Sequence, residues 1–553
     1  MFFFCLYLSK SLNMGNNLVT LKNKIAMKKI SVFTVLLLWA TVIVNAQQVP
    51  SPTEIAHDTL DVNNWRVRIN AVNTQFFNLL GASLGEIPAG SGKQSLFVGA
   101  FWIGGISDDD STVHVSADRY GGCFYPGPYA NVYDSAFYAK YNRVWKITKS
   151  QIEYHINHWS DAGYVMPDVI ATWPGNGDTS NGEAPVLAPY ADINGNGIYD
   201  PQNGDYPVIL GDQAIYLIMN DKNCQDTNLN PMGIEIHAMF YAFDDTGVLG
   251  NTFFAHYDLI NYSSHDYHDV YWGVLNDFDL GNYSDDFIGC DSTRNVYFCY
   301  NGDDDDDGNR GYGIHPPAVG FVFLSHPMEG FMYFKNGGGP QTDPETSVQY
   351  YNYMRSMWKD GTHLVHHGTG YDTDTTVTDF TNYAFPEYSG WTEVTEGNTP
   401  GDRRGLGSAK LGVFTHDSCF AVDFAYVWAR DTVNPGNTPS LNLMLSQISA
   451  VTDKYSQLAV DTNCSYLSIY NSINTPYKNV EYFNLYPNPA QRHVNIRTNW
   501  ENYTIDMYSF DGKKVYSRRN IHSLNLTNFT PGVYIVKISS GNQIDRRKLI
   551  ISR

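Results

Sequence analysis

Long apolar runs are nearly missing from this 553-residue chain. The one that stands out, residues 30–44, falls short of the roughly twenty residues that a membrane-crossing helix needs. Cysteine is sparse, 7 in the whole chain, and no CxxC pair occurs, which argues against a structural zinc site. HExxH, P-loop and dinucleotide-binding glycine patterns are missing as well. With them go the usual marks of zinc peptidases, NTPases and NAD enzymes. Positive charge is the scarcer sign: 36 Lys and Arg stand against 57 Asp and Glu, a net of -21.

The deficit is uneven. Residues 47–480 hold 20 basic and 52 acidic residues, whereas residues 481–553 hold 11 basic and 5 acidic. A stretch as acidic as the first repels nucleic acid and suits divalent-cation binding or extracellular solubility. The basic end disperses its Lys and Arg along strand-like segments, as an export recognition surface would. Near the N-terminus, Met27-Lys28-Lys29 precedes the apolar run and Val44-Asn45-Ala46 places small residues before Gln47. That is the layout of a secretory signal peptide over 27–46, with the Sec machinery as partner and residues 1–26 expected to be a start-site overcall. Six cysteines follow it: Cys123, Cys224, Cys290, Cys299, Cys419 and Cys464. An even number in an exported chain permits disulfides, and Cys290 and Cys299 are close enough in sequence for a local bridge.

Frequent glycine and proline favour strands and loops over long helices. Strand-like runs occur at 65–69, 76–80, 95–103, 112–116, 214–219, 234–243, 253–261, 270–274, 296–300, 319–324 and 421–429. A short helix is expected at 145–156. The best helical pattern is 441–458, where Leu441, Met444, Leu445, Ile448, Val451, Tyr455 and Leu458 recur at three and four behind Ser440 as N-cap. The expected fold class is mainly β. It comprises a β-rich multi-domain body (47–210 and 211–460) with one helix on its C-terminal side, a polar linker at 461–480, and a small Ig-like β-sandwich at 481–553.

The last segment reads as strands at 482–486, 494–497, 503–510, 514–517, 524–526, 533–538 and 546–551. Asp511-Gly512 and Gly541-Asn542 are hairpin-turn dipeptides. Ile505, Met507 and Ser509 alternate with Asp506 and Tyr508, and Tyr534, Val536 and Ile538 with Val533, Ile535 and Lys537. Period-two patterning of this kind suits an Ig-like sandwich. The segment opens on Leu485-Tyr486-Pro487-Asn488-Pro489 and carries Pro531-Gly532-Val533-Tyr534-Ile535-Val536-Lys537-Ile538 before a basic, apolar end. It resembles the type A C-terminal sorting domain of the type IX secretion system. Such domains are read by an outer-membrane machine of certain Gram-negative bacteria. They are commonly cleaved off as the passenger is released or anchored to surface lipopolysaccharide. The competing reading is an ordinary Ig-like module that binds carbohydrate or packs on the body.

In the body, Asp192, Asn194, Asn196 and Asp200 occupy positions 1, 3, 5 and 9 of a calcium-type loop. Ile198 offers its carbonyl at position 7, and Gly197 permits the sharp turn. Position 12 is Asn203 rather than Glu, and Asp205 is the expected substitute. The implied cofactor is a structural Ca2+; the alternative is an Asx- and Gly-rich turn without an ion. A second candidate set is Asp277, Asp279, Asp285, Asp286 and Asp291, read either as a cation site or as a glycosidase pair drawn from Asp277 and Asp279. The run of five Asp at 303–307 reads as a solvated loop, and His363, His366 and His367 as surface histidines. Trp358 or Trp391 would stack on a sugar only if exposed, and Asp402 is placed to pair with an Arg.

Residues 88–92 before 97–105, Tyr125-Pro126-Gly127-Pro128, the 192–207 loop, 277–291 and Gly401-Asp402-Arg403-Arg404 together resemble a group of large secreted surface proteins of the same bacteria. That resemblance implies a location and no activity. The expectation is a secreted cell-surface or extracellular protein, calcium-stabilised and without catalysis, in a surface or adhesion role. Its partner would be a surface polysaccharide or another protein, including a neighbour in a surface assembly. A carbohydrate-binding protein or glycosidase using the 277–291 carboxylates is the alternative.

Overall fold

The computed structural model describes residues 54–552, apart from 79, 110, 382–390, 459, 462–463, 465–482, 487, 499, 501, 511 and 541–542. The signal peptide, most of the linker, Pro487, Asp511 and the Gly541-Asn542 turn lie outside the described residues.

Two large antiparallel sheets make the body. One has nine strands. In spatial order it runs Asp286–Asp291, Val296–Asn301, Ala318–Phe323, Cys419–Ala429, Thr252–Asn261, Ile234–Ala242, Gln213–Asn220 and Tyr125–Pro126, with Trp145–Thr148 also pairing Gln213–Asn220. The other runs Gly330–Phe334, Arg404–Phe414, Tyr267–Asp277, Val98–Ser107 and Val113–Ala117. The sheets face each other through aromatic pairs. Ring centroids of Phe101 and Tyr257 lie 5.4 Å apart, those of Trp272 and Phe323 4.9 Å, and those of Tyr297 and Phe331 5.3 Å. Close approach is permitted where Arg404–Phe414 carries glycine: a Cβ on Gly407 would meet the Tyr297 ring at 2.6 Å.

Several strands, among them Ile234–Ala242 and Thr252–Asn261, are buried at every position. This is why they read as apolar runs rather than as alternation. Strand pairing crosses the boundary expected at 210. Val98–Ser107 pairs with Tyr267–Asp277, and Trp145–Thr148 with Gln213–Asn220. The sequence did not distinguish Arg404–Phe414, whose glycines and polar residues conceal a central strand.

The long helix spans Thr438–Gln457, with Asn437 at the N-cap position and Pro439 in the first turn. It therefore starts ahead of Ser440, which is not the cap. The Ser440 hydroxyl donates to Pro316 O at 2.6 Å and accepts from the Asp431 N–H at 3.0 Å. The apolar face is as expected, with Leu441, Met444, Leu445, Ile448 and Val451 buried. Residues 145–156 divide into the strand Trp145–Thr148 and the helix Lys149–His158, because Thr148 and Gln151 form a capping box. Helices at Ser135–Tyr141, Asp168–Ala171 and Ser347–Met354 add to the two expected.

The C-terminal segment is a sandwich of three strands (Phe483–Tyr486, His493–Thr498, Ser523–Asn525) and four (Lys514–Arg519, Thr504–Ser509, Gly532–Ser540, Gln543–Ile551). Val494, Ile496 and Leu524 meet Ile505, Met507, Tyr534, Val536 and Ile538 in one core. Val533 and Ile535 face outward, so period two is obeyed.

Candidate functional site

The 192–205 loop is tied to its own backbone. Asp192 Oδ1 accepts from the N–H groups of Gly195 (2.7 Å) and Asn196 (3.2 Å), and Oδ2 from that of Gly197 (2.7 Å). The side-chain amides of Asn194, Asn196 and Asn203 all donate to the Asp200 carboxylate, at 3.0, 2.9 and 2.8 Å. Asp205 closes the loop from below, accepting from Ile193 N–H (2.8 Å) and Asp200 N–H (2.9 Å). Gly195 and Gly197 sit at φ +71° and +75°, and a Cβ on either would meet no atom within 4 Å. Backbone conformation, not crowding, is what demands glycine there. Asp205 is fully buried. Burial, opposed by the two N–H bonds and assisted by Asp200, pushes its pKa up to about 6. The loop thus gathers three carboxylates and three amides with no basic side chain among these partners. Half a turn of an Asn amide exchanges donor for acceptor, so the same side chains can present oxygens to a hard cation.

The second set does not stay together. Asp277 Oδ2 accepts from the Tyr120 hydroxyl at 2.9 Å and pairs with Arg404 Nε at 3.4 Å. Burial outweighs the guanidinium and lifts the Asp277 pKa to about 6. Asp291 is held by the Arg294 guanidinium and by the Thr293 hydroxyl (2.6 Å). It also lies at the far end of its strand from Asp286, on the order of 17 Å away at about 3.3 Å per residue. Asp279 lies beyond the end of its strand, with a pKa raised to about 7 by burial and then by Asp277. The carboxylates that bear on Asp286 are instead Asp306 and Asp285. Asp286 is 2% exposed, and burial, Asp306 and Asp285 hold its pKa well above the carboxylate range. Oδ1 of Asp285 and Oδ1 of Asp286 are buried without a hydrogen-bond donor.

Asp306 accepts from Asn282 N–H (3.0 Å) and Tyr312 N–H (2.7 Å). It is the buried exception in the 303–307 run, which sequence alone renders as uniformly solvated. The short Asp305–Asp306 and Gly313–Ile314 pairing turns it inward.

Two surface cavities, of about 420 and 450 Å³, adjoin the helix Ser135–Tyr141. Neither is lined by any residue of the second set. In the first, Asp134 and Asp178 are engaged as caps and Glu183 accepts from the Asp178 N–H. Gly81-Ala82-Ser83-Leu84-Gly85 has the GxSxG spacing of a nucleophile elbow. Here it is a tight hairpin, with Asn78 Oδ1 accepting from Leu80 and Ala82 N–H, both at 2.9 Å, and Ser83 bridged to Phe77. Trp358 and Trp391 are fully buried, so neither offers a sugar platform. Asp402 lies 3.5 Å from Arg404, and Arg403 pairs with the buried Glu393 at 3.0 Å.

A polar cluster inside the body carried no linear signal. His256 Nδ1 lies 2.8 Å from Asp423 Oδ1, and Nε2 lies 3.3 Å from Asp258 Oδ1. Burial opposes the imidazolium, yet the two carboxylates win and hold its pKa well above normal. Tyr455 of the long helix donates to Asp423 Oδ2 at 2.9 Å, so this cluster docks the helix. The Asp258 carboxylate also lies near Cys419 and Cys464, which are joined as a disulfide.

In the C-terminal sandwich, Asn488 of the opening motif clamps the last strand. Its amide donates to Lys548 O at 2.7 Å and accepts from Ile550 N–H at 2.8 Å. Exposed Arg518 and Arg519 lie on one edge strand of the four-stranded sheet, and Arg546, Arg547 and Lys548 on the other. Charge on open edges also guards against stray strand pairing.

Residues 484–552 match the family described as the secretion system C-terminal sorting domain. The chain therefore carries a type IX sorting domain, which implies a secreted or cell-surface protein and the type IX machinery as partner. No curated protein matches the chain. A solved structure titled as a polysaccharide lyase aligns with 61% of this chain and 35% of its own length, at 9% identity and a TM-score of 0.18. The chain thus spans about a third of that structure, and the likeness is too slight to carry an argument. No helix among the described residues is long and apolar enough to cross a membrane.

Proposed function

We propose that this chain is a type IX passenger that works outside the cell as a non-catalytic surface or adhesion protein, its acidic body stiffened by calcium. The observation that carries the reading is the sorting-domain match over 484–552. Calcium is supported by the spacing of Asp192, Asn194, Asn196, Ile198, Asp200 and Asp205 along the chain, and by the Asn194 and Asn196 amides gathered on Asp200. It is supported further by a body rich in acid that meets millimolar divalent cations only after export. A second cation would sit with Asp285 and Asp286, each of which has one carboxylate oxygen without a donor. Asp277 and Asp291 drop out of that set because arginines already neutralise them. The glycosidase alternative is weakened by the same pairing, since Asp277 is committed to Arg404 and Tyr120. Deleting 482–553 should leave the body in the periplasm; normal export of the truncated protein would refute the sorting role.

A further inference from the structure

The structure assigns a second disulfide, Cys123–Cys224, to the exported form of this protein. It rests on the export reading only through the oxidising compartment that export implies. Two antiparallel chain segments bracket the cysteines. On one side Tyr125 and Pro126 pair with Asn220 and Met219. On the other the Gln225 N–H donates to Gly122 O at 3.0 Å. Cys123 and Cys224 lie just inside the second tie, one on each segment, and Cys224 packs against the core that holds Cys123. Both side chains pack on the same core, Cys123 fully buried and Cys224 half-buried. The contact between the two thiols is also the first cause that lifts the Cys123 pKa.

The same geometry rejects the pair that lies closer in sequence. Cys290 stands opposite Tyr297, and Cys299 opposite Ile288. The two cysteines are therefore diagonal neighbours, about 7–8 Å apart, beyond bridging reach. The Cys290 thiol instead donates to Thr381 O at 3.3 Å.

The chemistry is thiol–disulfide exchange with a periplasmic protein disulfide as oxidant. During folding after translocation, the Cys224 thiolate attacks one sulfur of that disulfide and forms a mixed disulfide. The Cys123 thiolate then attacks the Cys224 sulfur and expels the oxidant. One S–S bond forms and one breaks, the two thiol protons end on the oxidant, and it leaves as a dithiol. The new bridge closes residues 123–224 into a loop containing the 192–205 site.

The test uses the full-length protein recovered from outside the cell, denatured without reductant in a thiol-alkylating reagent and mapped by peptide mass spectrometry. Recovery outside the cell tests export; the labelling pattern tests the bridge. Label is expected on Cys290 and Cys299 only, with a cross-linked peptide joining Cys123 to Cys224. In Cys224→Ser, whose site is half-buried and tolerant, Cys123 should become labelled. Label on both Cys123 and Cys224 in the exported protein would overturn the assignment. So would a cross-link from either to another cysteine, or a Cys123 that stays unlabelled in the Cys224→Ser protein.

Discussion

Calcium should raise the melting temperature of the exported protein, and Asp192→Ala should remove that rise. Extracellular calcium modules bind with Kd of about 0.1–1 mM. At about 10 mM free calcium, one such site adds roughly 1.4–2.7 kcal/mol by mass action. With an unfolding entropy near 2.1 cal/mol/K per residue, a cooperative unit of about 400 residues would shift by about 2–3 °C. Asp192→Ala also strips the acceptor from the N–H groups of Gly195, Asn196 and Gly197, so its calcium-free Tm falls. The quantity to read is the difference between calcium and EDTA, by scanning calorimetry. The sign with pH follows from Asp205, whose pKa of about 6 in the fold exceeds its ordinary value. Its contribution to calcium-free stability is complete below about pH 4 and is lost as pH rises through about 6. The calcium-dependent shift should therefore be larger at pH 7.5 than at pH 5. An equal shift in wild type and Asp192→Ala would refute the loop as the site.

Further outcomes test the scaffold. Tyr455→Phe deprives the buried Asp423 carboxylate of a donor and should cost about 1.5–3 kcal/mol in denaturant titration. Met444→Ala, at a fully buried helix position, should cost about 2–5 kcal/mol. Gly407→Val drives a side chain into the Tyr297 ring and should destabilise by about 1–3 kcal/mol or more, with reduced yield of folded protein. Cys464→Ser opens a disulfide spanning 45 residues and should lower stability by about 4 kcal/mol on the chain-entropy account. An unchanged unfolding midpoint in any of these would contradict the packing described for that residue.

The C-terminal module was legible because its information is local. Alternation of Ile505 and Met507, and of Tyr534, Val536 and Ile538, states which face is buried. The Asp- and Asn-rich pattern of 192–205 was legible for the same reason, since its residues lie in one short stretch and bond to one another. Strands such as Ile234–Ala242 were found as apolar runs, but their neighbours were not. A strand buried on both faces carries no phase to say what it packs against.

The amino-acid order alone was enough to state a mainly β chain with an export label, an acidic body and an Asp- and Asn-rich loop at 192–205. Those properties reside in composition and in contacts a few residues apart. Tertiary packing alone paired Asp277 with Arg404, set Asp306 rather than Asp291 to bear on Asp286, and clasped His256 between Asp258 and Asp423. Each of those depends on which strands lie side by side. That is set by packing the whole sandwich, and partners such as Asp277 and Arg404 or His256 and Asp423, more than a hundred positions apart, leave no joint trace in a single sequence.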